Sequence, residues 1–71
     1  MIFYVYVGKF KEDDSTKEII EKLNKEGYEP LLCNLVLYSS LRVGVRSCYS
    51  DAYQLQEELK RKGFNAFILN V

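Results

Sequence analysis

Apolar and polar positions along this chain follow two periods in turn. Residues 2–8 (Ile-Phe-Tyr-Val-Tyr-Val-Gly) are β-branched or aromatic and stop at glycine, the pattern of a strand. Alternation puts Phe3, Val5 and Val7 on one face and Tyr4 and Tyr6 on the other. A turn over Lys9–Asp14 follows, and then helical spacing aligns Thr16, Ile19, Ile20 and Leu23 as one stripe. Ser15 with Glu18 three residues on predicts a capping box, and Asp13 and Asp14 suit the positive end of the helix dipole. Gly27 predicts a left-handed cap, and Pro30–Leu35 reads as a second strand.

The pattern then repeats at an offset of 36 residues without a gap. Val7-Gly8 returns as Val43-Gly44, Leu23 as Leu59, and Gly27-Tyr28 as Gly63-Phe64. Leu41–Val45 is the expected third strand, with Leu41 and Val43 on one face and Ser40 and Arg42 on the other. Asp51 and Gln54 stand where Ser15 and Glu18 stood, so a second capped helix is predicted, with Ala52, Leu55 and Leu59 as its stripe. Lys60-Arg61-Lys62 suits its negative end, and Ala66–Val71 closes the chain as a strand.

The resulting β-α-β-β-α-β order predicts an α+β fold, ferredoxin-like or RNP-like. Two right-handed βαβ units interleave into a four-stranded antiparallel sheet with both helices on one face and strands one and three at the centre. Residues 1–71 then form one domain from two pseudo-repeats, about 2–35 and 38–71. The expected core is Val5, Val7, Phe10, Ile19, Leu23, Leu32, Leu41, Val43, Leu55, Leu59, Phe64, Ala66 and Ile68. The hairpin between strands two and three must lie in Cys33–Tyr38, where only Asn34 favours a turn. It reads either as an irregular tip with partly exposed leucines or as a hinge. In the second case residues 30–45 run as one strand exchanged between two chains, giving a homodimer through the 33–40 region.

Composition narrows the function. A hydrophobic fraction of 48% is enough for a packed domain of 71 residues. Ten basic residues balance ten acidic ones, which disfavours a nucleic-acid partner gripped through phosphates. No apolar run reaches the ~18 residues of a membrane span, so no membrane contact is expected from this chain. No targeting signal is read, because Lys9 and Lys11 interrupt any early apolar region. With no histidine, a Cys–His or Ser–His pair cannot form, and the two thiols are too few for a structural zinc site. No catalytic residue, metal or cofactor is expected. Cys33 and Cys48 read as free thiols rather than as a disulfide framework.

Tyr4-Val5-Tyr6-Val7-Gly8-Lys9-Phe10, Leu23-Asn24-Lys25-Glu26-Gly27-Tyr28, Leu41-Arg42-Val43-Gly44 and Leu59-Lys60-Arg61-Lys62-Gly63-Phe64 occur in that order over essentially the whole chain. In this order and spacing the chain resembles a SPOR domain, a module of bacterial division, sporulation and cell-wall-hydrolase proteins. Such domains typically show an aromatic-Val-Gln-Val-Gly-x-Phe strand and a helix ending Leu-x-x-x-Gly-aromatic, then the pattern again. Tyr6 replaces the usual glutamine, and Arg46 stands where the second unit usually has an aromatic. The resemblance implies binding to peptidoglycan glycan strands stripped of stem peptides, on the helix-free face. It also implies a cell-envelope location (periplasm or wall), reached as part of a larger exported protein.

Alternation alone defines the same face. If Val5, Val7, Leu32, Leu41, Val43 and Ile68 meet the helices, the open side carries Tyr4, Tyr6, Leu31, Cys33, Tyr38, Ser40, Arg42, Phe67 and Leu69. The candidate ligand-binding residues are Tyr4, Tyr6, Tyr38, Ser40, Arg42 and Phe67. Rings suit the C–H edges of sugars, and Ser40 and Arg42 suit hydroxyl, N-acetyl or carboxylate groups. Two alternatives use the same face. One is a protein-interaction or dimerisation module. The other is a single-stranded RNA-binding RNP-like domain, disfavoured because Ser39–Val43 lacks the Gly-Phe-Gly/Ala-Phe signature.

Overall fold

A computed structural model describes all 71 residues. The elements are β1 (Phe3–Phe10), α1 (Lys17–Lys25), β2 (Leu31–Leu35), β3 (Tyr38–Arg46), α2 (Tyr49–Arg61) and β4 (Ala66–Asn70). The strands form one antiparallel sheet in the order β2-β3-β1-β4, which is the predicted α+β, βαββαβ arrangement with β1 and β3 central.

Packing follows the stripes. Val5, Val7, Leu23, Leu41, Ala52, Leu55, Leu59 and Ala66 are buried together, and Phe3, Phe10, Ile19, Ile20, Tyr28, Val43, Phe64 and Ile68 pack around them. Fully burying a Leu or Val contributes ~1.5–3 kcal/mol, so the sheet-to-helix layer dominates stability. Leu32 departs from expectation: it is 52% exposed. Strand β2 is bonded only to β3 at the sheet edge, while α2 lies over β1, β3 and β4.

Both helices end alike. Tyr28 N–H donates to Leu23 O at 3.0 Å and Gly27 N–H to Asn24 O at 3.0 Å. Phe64 donates to Leu59 and Gly63 to Lys60 at the same distances. Each pair is a Schellman motif, with the glycine at φ +91°. The Tyr28 hydroxyl then donates to Glu58 Oε2 (2.8 Å) and accepts from Lys62 Nζ (3.1 Å), tying the end of α1 to α2.

The helix starts differ from the sequence expectation. Helix α1 begins at Lys17 with Thr16 as N-cap and no side-chain cap bond, so Ser15 and Glu18 form no capping box. Asp14 instead closes the preceding turn, accepting from Lys11 N–H at 2.8 Å. Helix α2 starts at Tyr49, before Asp51. In its first turn the Tyr49 ring lies edge-on to Phe3 of β1 (5.6 Å, 72°), a contact that local sequence does not encode.

The β2–β3 connection is a tight hairpin, not one continuous strand. Leu35 pairs with Tyr38 across Val36-Leu37, and Val36 is fully exposed. Cys33 and Cys48 are both free thiols.

Two irregularities on the central strands decide which side chains face where. Between Val7 and Phe10, β1 spends one residue more than β3 does between Leu41 and Ser39. Gly8 supplies that bulge at φ +76°, a conformation open to glycine and costly for other residues. Its N–H donates to Asn65 O at 2.8 Å, and its carbonyl, with that of Val7, accepts from the buried Ser40 hydroxyl. The second bulge, at Val43, lies opposite the Val5–Tyr6 step and turns Val45 away from the helices. Without Gly8 the bulge is strained, and an added Cβ would collide with the Phe10 ring. Gly8→Ala is therefore expected to lower unfolding free energy by ~1–3 kcal/mol in a denaturant titration, with folded-baseline circular dichroism unchanged.

Candidate functional site

The face of the sheet away from the helices is built from four strands at once. On β1, Tyr6 sits between Arg42 of β3 and Phe67 of β4, all in register. Tyr4 lies one pleat along, between Val45 and Leu69. At the other end the Gly8 bulge swings Lys9 outward and Phe10 into the core. Tyr38 opens β3 on the same side as Phe67.

The rings form a continuous row. Tyr38 meets Phe67 edge-on at 6.3 Å, Phe67 stacks on Tyr6 at 5.6 Å, and Tyr6 lies tilted against Tyr4 at 6.2 Å. A cation closes each end. Lys9 Nζ stands 5.3 Å from the Tyr38 centroid and 5.2 Å from that of Phe67, and the Arg42 guanidinium stands 5.0 Å from Tyr4. Such contacts hold long flexible side chains in place while leaving N–H donors free.

The six residues expected here divide into two groups. Tyr4, Tyr38, Arg42 and Phe67 are part-exposed on this face. Tyr6 points to the same face but is only 4% exposed, walled in by Tyr4, Phe67 and Arg42. It is the floor of the row. Burial pushes its phenol above the ordinary value, the Cys33 thiol adds to this, and the Arg42 guanidinium opposes it. Ser40 does not serve as expected. It has no exposed surface, and its hydroxyl is spent on the Val7 and Gly8 carbonyls. The hydroxyl thereby belongs to the bulge and is not open to a ligand.

Lys9 and Val45 were missed by the sequence reading. Strict alternation from Val7 turns Lys9 inward, and alternation from Val43 does the same to Val45. A signal for the first was present: Val7 and Phe10 are both core residues three apart, which period two forbids unless glycine inserts a residue.

No family model matches this chain, and no characterised protein matches it by sequence. By fold it is similar to the solution structure of the peptidoglycan-binding domain of the B. subtilis cell wall lytic enzyme CwlC. The TM-score is 0.75 over 96% of this chain and 86% of that one, at 19% identity. At that identity the likeness establishes a shared fold.

Because the folded state holds Tyr6 neutral, its burial contributes stability at neutral pH that is lost as pH rises above ~10, the ordinary tyrosine value. Ultraviolet titration is expected to show late-ionising phenol signal that decreases in Tyr6→Phe. Loss of signal from the ordinary tyrosine range, with the late-ionising part undiminished, would place Tyr6 in water.

Proposed function

We propose that this chain is a non-catalytic module that binds glycan strands of peptidoglycan on the open face of its sheet. The observation that carries the reading is the unbroken row of rings, Tyr38–Phe67–Tyr6–Tyr4, on a sheet face that no helix covers. A polysaccharide is a row of rings of its own, apolar on their C–H faces and polar at their rims. Flat aromatic surfaces accept those C–H faces, and donors at the margins take the rim oxygens. The similarity in fold to the CwlC domain, and the order of motifs shared with SPOR domains, support the same reading.

The ligand form favoured is the denuded strand, without stem peptides, as the resemblance to SPOR domains implies. A larger protein carrying this module would be targeted to the cell wall during division, sporulation or wall hydrolysis, in the cell envelope. Catalysis would belong to another part of such a protein, since nothing on this face pairs a nucleophile with a base. An RNA ligand fits less well: the chain is neutral and Ser39–Val43 places no aromatic ring at the centre of β3.

Amidase-treated sacculi are expected to retain the protein more strongly than intact sacculi in a sedimentation pull-down. Tyr4→Ala and Phe67→Ala should each weaken retention about tenfold, with the folded spectrum intact. These positions are better probes than Tyr6, whose removal would also hollow the floor. Equal retention on both materials, or none on either, would contradict the reading.

A further inference from the structure

Charge on this protein is sorted by element. Every one of the ten acidic residues lies in a loop, a turn or a helix, and none lies on a strand. The charged residues of the sheet are Lys9, Arg42 and Arg46, all cationic. Arg46 pairs with Phe3 on the helix side and donates to the Val45 carbonyl. Lys9 and Arg42 remain, one at each end of the aromatic row. The ion pairs of the molecule are Lys60–Glu57 and Lys62–Glu26, on the other side of the fold, so neither open-face cation is neutralised by a carboxylate. A protein with no net charge thus presents a doubly positive, acid-free binding face.

We infer that Lys9 and Arg42 read carboxylate groups on the saccharide, so that the face selects an anionic glycan over a neutral one. This rests on the glycan-binding reading above and adds the feature of the ligand that is recognised. The muramoyl residues of peptidoglycan carry a lactyl group. When a stem peptide is attached, that group is an amide; when the peptide is removed, it is a free carboxylate. Discrimination in favour of denuded strands then comes from charge. Arginine offers a planar fork that matches a carboxylate in two bonds, and lysine offers a point charge on a flexible stem. Lys9 and Tyr6 are three residues apart on β1, roughly 10 Å at strand rise, and Arg42 lies beside Tyr6. A ligand that engages both cations is an oligosaccharide, not a single sugar.

The test compares two forms of one material. Glycan strands from amidase-treated sacculi are divided, and half are treated with carbodiimide and borohydride, which turns each carboxylate into a primary alcohol and leaves the sugar rings alone. The wild-type chain is expected to bind the untreated strands about tenfold or more tightly than the reduced strands, with the difference shrinking as salt is raised. Lys9→Gln should weaken binding to untreated strands about tenfold and binding to reduced strands by much less, so that the preference of the variant for untreated strands falls below that of the wild type. Arg42→Gln should do the same if its fold is intact by circular dichroism. The wild-type comparison of the two ligands stands regardless of either variant. Equal affinity for both forms would overturn the charge reading while leaving glycan binding in place. Absence of binding to either form would overturn the glycan reading and this inference with it.

Discussion

The Gly8 bulge is the constraint on which the rest of the open face depends. One extra residue on β1 is held from both sides: the Gly8 N–H bonds Asn65 before β4, and the Val7 and Gly8 carbonyls take the Ser40 hydroxyl from β3. Those contacts connect three of the four strands at one point. They also switch the phase of alternation, sending Phe10 to the core and Lys9 to the surface. Remove the bulge and the cation leaves the end of the aromatic row. Fold and candidate chemistry therefore share one local device, and the buried serine belongs to it structurally although it lies on the functional face.

Much of the architecture was legible because it is local. Strand alternation, the Leu-x-x-x-Gly-aromatic helix ends and the 36-residue repeat state the element order directly, and both Schellman ends are encoded within six residues. What stayed hidden is set by distant partners. The first residue of α2, Tyr49, meets Phe3, 46 residues before it. The exposure of Leu32 depends on where α2 lies across the sheet. For the candidate site, four of six residues were placed on accessible surface by period alone. Tyr6 and Ser40 were not, because a central strand lets neighbours on both sides close over whatever it presents.

The two halves of the repeat have diverged in a way that follows burial. Several positions facing the helices keep their character between repeats, as Val7 and Val43, Ile19 and Leu55, and Leu23 and Leu59 do. Positions facing out differ: Tyr4 and Tyr6 in the first unit correspond to Ser40 and Arg42 in the second. An aromatic row with a cation at each end results, in place of two equivalent half-sites. The sorting of every acidic residue away from the strands extends this asymmetry from shape to charge.

On the proposed function, a glycan strand lies on the open face of the sheet. Chemical-shift mapping of the labelled chain during titration with denuded glycan strands tests it most directly. Perturbations are expected to concentrate on Tyr4, Lys9, Tyr38, Arg42 and Phe67, with the exposed sides of α1 and α2 unmoved. Perturbations confined to the helices, or to the Val36-Leu37 hairpin tip, would contradict it.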